Sequence, residues 1–323
     1  MKGRFPHGRR TRSRPPQKPA PPHKSAPPHK PAPPDKSAPP RKFSRENDVR
    51  AHVRESGAHT YDRESGARAY DRDASRAHVR DDLVFGIEPI RELAAAAPAA
   101  VRTLYIRRGI RNRFAREIDL VAAAGGRTAE VDDAELIRLA GAQAIHQGAV
   151  ALIKPFSYAA IEDVIAARPD PILLVDGVTD PRNLGALLRS AEGAGAGAVV
   201  IAKDRTARLT PAAIKASAGA WVHLKIAECG NVARALEDLK EAGYWIAAMA
   251  PGGDRTIYDL DPSMRLAVVA GSEGAGVREI VKKRADFVVK IPMRGKIGSL
   301  NVAVAAAVTL FEIARAKAAR AAG

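Results

Sequence analysis

The chain reads as an α/β protein with a parallel sheet covered by helices on both faces. Strands of four to six apolar residues alternate with helical segments from residue 159 onward, the pattern of strands buried on both sides. Two of those strands run straight into glycine-rich turns, Leu266–Gly276 and Ile291–Asn301. The N-terminal quarter has a different composition altogether, which sets the folded part apart from a tail.

Residues 1–80 hold 20 Lys+Arg and 8 Asp+Glu, so most of the chain's net charge of +16 is concentrated there. The hexad Ala20-Pro-Pro-His-Lys-Ser25 recurs, with variation, from Ala26, Ala32 and Ala38. Proline fixes φ and removes amide donors, which favours an extended arm. A nine-residue repeat, Arg54–Asp62 and Arg63–Asp71, follows and is too polar to bury a core. The segment 1–80 therefore reads as a disordered basic tail, and its charge suggests a polyanion partner, nucleic acid first. A solvated arm that only aids solubility is the plain alternative.

Order is expected from near Asp82. Residues 84–93 read as a short strand, a turn at Gly86 and a helix. Strand 101–106, helix 112–124, strand 129–131, helix 133–140 capped by Asp132 or Asp133, and strand 148–153 complete a small α/β unit over 81–155. Lys154–Tyr158 reads as a linker. Residues 156–323 form the second unit: helix 159–167, strand 172–175, helix 183–194, strand 198–201, helix 212–218, strand 223–227, helix 232–241 and strand 245–249. Strand 266–270, helix 277–284, strand 287–291 and helix 301–319 follow.

The chain has a single cysteine, Cys229, which excludes an intramolecular disulfide framework and a Cys-rich zinc site and fits a reducing, cytoplasmic setting. The eight histidines show no metal-ligand spacing, so no metal is expected. The longest apolar stretch, Val302 to Phe311, is about half a membrane span and reads as a buried helix, with no membrane partner expected.

Three segments carry chemistry. In the first, Asp180-Pro181 caps a helix that starts just past a strand's carboxyl end, where open α/β sheets bind ligands. It presents Asn183 in the first turn and Arg189 about two turns in; a helix-start role for Asn183 and a solvated Arg189 is the bland reading. The second, Gly271-Ser-Glu-Gly274, offers glycines that let backbone groups wrap a ligand and one acid, Glu273, which could instead pair with a lysine such as Lys296. The third, Gly298-Ser-Leu-Asn301, opens the last helix, where free N–H groups can hold a polar ligand end; Ser299 could simply be its N-cap. The glycine spacings do not match a dinucleotide fingerprint.

Taken together, Asn183…Arg189, Gly271-x-Glu273-Gly274 and Ser299-x-Asn301 resemble the three ordered motifs of the SpoU (TrmH-like) branch of the SPOUT RNA methyltransferases, over residues 171–315. Upstream, Gly86-Ile-Glu-Pro-Ile and His146-Gln-Gly148 are similar to the entry and exit of that family's small L30e-like RNA-binding domain. The resemblance implies a C-terminal SPOUT domain tied in a trefoil knot, S-adenosyl-L-methionine as cofactor, a homodimer, and 2′-O-methylation of an RNA ribose. Asp176-Gly-Val-Thr-Asp-Pro and Ile291-Pro-Met lean towards the subgroup acting on guanosine in 23S rRNA; tRNA as substrate, or a non-catalytic ribosome-assembly role, stays open. Carried over by motif, Arg189, Glu273, Asn183, Ser299 and Asn301 would be the catalytic set. Gly271, Ile291 and Leu300 would contact the cofactor, and His146 and Gln147 would bridge the domains or touch RNA.

Overall fold

The computed structural model describes residues 82–322. The expected tail of residues 1–80, with its repeats, lies outside the described residues.

The first sheet is built from β1 (Leu83–Phe85), β2 (Val101–Arg107), β3 (Arg127–Val131) and β4 (Ala149–Ile153), in the order β1-β4-β2-β3. It is mixed: β4 pairs antiparallel with β1 and β2, while β2 and β3 are parallel. Helices α1 (Ile87–Ala96) and α2 (Ala115–Ala123) pack on one face through Ile90, Leu93, Ile118 and Val121. Helix α3 (Asp133–Ala140) covers the other through Leu136 and Ala140. Asp132 is its cap, accepting from the Glu135 amide at 2.8 Å. A short 3-10 turn, Arg111–Phe114, occupies the expected start of α2.

The second sheet contains β5 (Ile172–Val175), β6 (Ala198–Ala202), β7 (Lys225–Cys229), β8 (Trp245–Met249), β9 (Arg255–Thr256), β10 (Leu266–Ala270) and β11 (Phe287–Lys290). All are parallel, in the order β7-β6-β5-β10-β8-β11-β9. Side chains alternate across the pleat: Leu173 and Val175 join one apolar cluster, Ile172 and Leu174 the other. Helices α5 (Pro181–Gly193), α6 (Pro211–Ala216) and α9 (Val302–Ala322) pack on the first face. The opposite face is covered by α4 (Ile161–Ala167), α7 (Val232–Glu241) and α8 (Glu279–Arg284).

Helices α5 and α6 cross closely because of Gly185. A Cβ there would meet the Ala213 carbonyl oxygen at 2.3 Å and the Ala216 Cβ at 2.5 Å. Several boundaries differ from those expected. The strand expected from His223 begins at Lys225, because Ala220–Val222 forms a 3-10 turn that buries Trp221. The helix expected from Val277 begins at Glu279. The two-residue strand β9 is an addition, since it carries no apolar signature.

The apolar cluster under α5 is continuous with that under α1 and α2, so the two sheets share one core. The linker is not loose: Phe156 sits edge-on to both Tyr158 and Trp221, with ring centroids 5.0 and 5.6 Å apart. A hydrogen bond between His223 Nε2 and the Glu92 carboxylate at 2.9 Å also spans the junction. Both partners are well exposed, and such pairs contribute only about 0–1 kcal/mol. Burial of Trp221, edge-on to Phe156, carries more of the attachment.

Candidate active site

Strands β8, β10 and β11 all end at the same edge of the second sheet, and a cavity of about 470 Å³ opens there. Met249, Pro251 and Ile257 supply apolar wall, and the turns after β10 and β11 supply the rest, including Gly271, Ile291, Leu300, Glu273, Ser299 and Asn301. Small-molecule sites have this size and this mixture of apolar wall with few polar groups.

The first turn is tight. Ser272 and Gly276 exchange backbone hydrogen bonds at 3.0 and 2.9 Å, folding the chain back on itself. Gly271 is a requirement of that closure: a Cβ would come within 2.3 Å of the Gly276 carbon and the Val277 nitrogen. Since both are backbone atoms, no side-chain movement relieves the clash.

Asn183 joins the three segments. It lies in the first turn of α5, whose cap is Asp180, accepting from the Arg182 amide at 2.8 Å. Its Nδ2 donates to the Glu273 carboxylate, and its Oδ1 accepts from Asn301 Nδ2 at 3.1 Å. Asn301 Oδ1 accepts from the Ala303 and Val304 amides at 2.9 and 3.4 Å. Asn301 is thus the cap of α9, a correction to the alternative that gave the cap to Ser299. Glu273 is held by Asn183, and no ion pair with Lys296 forms among the described residues.

Arg189 stands two turns further along α5, exposed, and makes no hydrogen bond or ion pair among the described residues. It does not line the cavity. His146 and Gln147 lie away from it too. Gln147 Oε1 accepts from the Ile87 amide at 3.1 Å and from Lys215 Nζ at 2.8 Å, tying the elements around the first sheet to α6. Partial burial there pushes the Lys215 ammonium below its ordinary pKa. His146 Nδ1 accepts from the Gly148 amide at 3.2 Å. Sequence reasoning missed Met249, Pro251 and Ile257; only the Pro251-Gly-Gly253 turn after β8 hints that this strand end is shaped for a ligand.

Fold and site together define an α/β enzyme that binds a small molecule at the carboxyl edge of a parallel sheet, with polar groups gathered from three separate turns. Residues 170–311 match the SpoU rRNA methylase family, and residues 83–159 match the RNA 2′-O ribose methyltransferase substrate-binding domain. The chain is 35% identical over 238 residues to the 23S rRNA (guanosine-2′-O-)-methyltransferase RlmB of Escherichia coli K12, covering 72% of this chain and 98% of that one. Its counterpart in Pseudomonas putida KT2440 is 37% identical over 238 residues, covering 72% and 95%. Among solved structures, the SpoU methyltransferase AviRb from Streptomyces viridochromogenes, in complex with the cofactor AdoMet, aligns with a TM-score of 0.61 at 26% identity, over 75% of this chain and 91% of that one. The chain belongs to the SpoU rRNA methylase family and is a methyltransferase.

Proposed function

We propose that this enzyme methylates the 2′-oxygen of a guanosine ribose in 23S rRNA, using S-adenosyl-L-methionine. The observation that carries the reading is the junction at Asn183, which brings Glu273 and Asn301 together beside a cavity lined by Gly271, Ile291 and Leu300. The names of the curated relatives support the substrate, and the AdoMet-bound relative supports the cofactor.

The cavity fits such a cofactor. Its walls are apolar enough for an adenine, and the Gly271–Gly276 turn offers backbone groups without side chains in the way. Gly271, Ile291 and Leu300 would hold the cofactor, which supplies when bound a methyl group already activated by a sulfonium charge. The protein's task is then to align the ribose hydroxyl and assist loss of its proton. A guanidinium is a donor with no acceptor and does not serve as a general base, so the role of Arg189 is to orient the hydroxyl or a neighbouring phosphate and to stabilise developing oxyanion charge. Asn183 fixes the Glu273 carboxylate, which would accept a hydrogen bond from the ribose. Ser299 and Asn301 shape the turn that holds the target nucleotide.

Residues 81–155 would be the RNA-binding domain and 156–323 the catalytic domain. In the first, Ile145 is 71% exposed beside His146, and Gln147 keeps its Nε2 donor available after binding Lys215 through Oε1. That loop is our choice for an RNA contact. A homodimer is supported by an exposed apolar row on α9, where Val304, Val308 and Phe311 are 49%, 39% and 51% accessible; the spacing puts them on one face. A trefoil knot fits the strand order, in which β10 inserts between β5 and β8 and α9 returns to pack on α5. The bacterial ribosomal RNA relatives support a cytoplasmic setting.

The test is methyl transfer from labelled S-adenosylmethionine to unmodified rRNA and tRNA in parallel, with ribose methylation mapped by its block to alkaline cleavage. Label at one 23S rRNA guanosine, lost in Arg189→Ala while cofactor binding persists, is the expected result. Label confined to tRNA would overturn the substrate and keep the chemistry.

A further inference from the structure

The turn that frames the cavity is tied at both ends to one residue behind it. Asp176 is the residue after β5, and its amide donates to the Ala270 carbonyl at 2.9 Å, just before Gly271. Its carboxylate accepts from Arg278 Nε at 2.7 Å, just after Val277, where Arg278 directly precedes α8. Both legs of the Gly271–Val277 turn are therefore fastened to the end of β5. The neighbouring residue reinforces the seat: a Cβ on Gly177 would lie 3.1 Å from the Ser272 Cβ.

Stability alone is a poor reason for this arrangement. Asp176 is 1% exposed, and its second oxygen, Oδ1, is buried with no hydrogen-bond partner among the described residues. A buried, incompletely satisfied ion pair is commonly no more stable than apolar side chains of the same volume. What the pair offers instead is direction. An Arg Nε–carboxylate bond has fixed geometry, and here it sets where the turn ends relative to where it begins. Neither residue lines the cavity, so neither touches a ligand there.

We infer that Asp176 and Arg278 are positioning residues, a strut that holds the Gly271–Val277 turn in its ligand-binding shape. The inference rests on the reading of the cavity as the S-adenosylmethionine site. Loss of the strut would loosen the turn without removing any cofactor contact, so it would weaken binding more than it slows transfer at saturating cofactor.

The test is calorimetric titration of S-adenosylmethionine into the full chain, with thermal unfolding of the same cofactor-free samples. The variants are Asp176→Asn, Arg278→Gln, Arg278→Lys and the double variant Asp176→Asn/Arg278→Gln. Each neutralising single variant is expected to bind about tenfold or more weakly, equivalent to about 1.4 kcal/mol, and Arg278→Lys to recover part of the loss. The double variant removes the unpaired charge, so its unfolding temperature should return towards wild type while its affinity stays low. Recovery of affinity together with stability would make the pair merely structural and overturn the inference, as would Arg278→Gln and Arg278→Lys both binding like wild type. Wild-type protein that does not bind the cofactor at all would overturn the reading of the cavity itself.

Discussion

Asn183 and Asn301, 118 positions apart, meet amide to amide, Asn301 Nδ2 donating to Asn183 Oδ1 at 3.1 Å. Each uses its other end elsewhere: Asn183 on Glu273, Asn301 on the first amides of α9. Hydrogen-bond direction thus runs one way, from Asn301 through Asn183 to the carboxylate. A side-chain amide suits such a relay because it carries a donor and an acceptor on one rigid plane.

Asn183→Ala removes both bonds at once. Glu273 and the α9 cap then lose their common reference, and kcat should fall about 100-fold, the cost associated with roughly 1 Å of misplacement. Cofactor affinity should change less, because the Gly271–Val277 turn keeps its own backbone closure and its ties to Asp176. Steady-state transfer assays and calorimetry on the same protein check the split; a loss confined to cofactor affinity would contradict it.

Gly271→Ala should have the opposite signature. The added methyl collides with backbone at 2.3 Å, so the turn must open. Cofactor binding should drop below detection while RNA affinity, measured by filter retention, is kept. A variant that binds cofactor normally would mean the turn has an alternative path.

Cys229 makes stability depend on alkaline pH. Burial first, and then the Asp176 charge, push its thiol up to about 11 from an ordinary 9.0. The folded protein therefore keeps this proton while the unfolded chain loses it, so stability is fully present below pH 9 and declines as pH rises towards 11. In urea unfolding across that window, the stability advantage of wild type over Cys229→Ala should shrink. Iodoacetamide should label the native thiol slowly below the window.

Deletion of residues 1–80 removes 20 Lys+Arg against 8 Asp+Glu. RNA affinity should weaken at low salt, with a shallower dependence of log K on log salt, while cofactor affinity is unchanged. An unaltered salt slope would count against any part for this segment in RNA binding.

The second sheet is legible in the sequence because its strands obey a local rule. Runs such as Leu266–Ala270 are short, apolar and bounded by glycine, which leaves too little length for a helix. Boundaries move where distant contacts decide: Trp221 is drawn into the junction between the two sheets, which pushes β7 back to Lys225. The three motifs name Asn183, Glu273 and Asn301 but not their mutual bonds, since spacing along the chain says nothing about which amide faces which. Gln147 illustrates the same limit: its motif points to RNA or a bridge between domains, and its oxygen bonds Lys215 across the junction. Met249 and Ile257 reach the cavity only through the order in which β8 and β9 join the sheet.

The side-chain amide of Asn301 both starts the 21-residue helix α9 and fastens Asn183. Asn301 follows every strand of the second sheet along the chain, so a growing polypeptide lacks this fastening until the whole sheet has been synthesised. Competence for methyl transfer is therefore a late event in the life of the nascent chain. Termination ahead of Asn301 would leave a protein with all its strands and with Asn183, which holds Glu273, deprived of its own anchor.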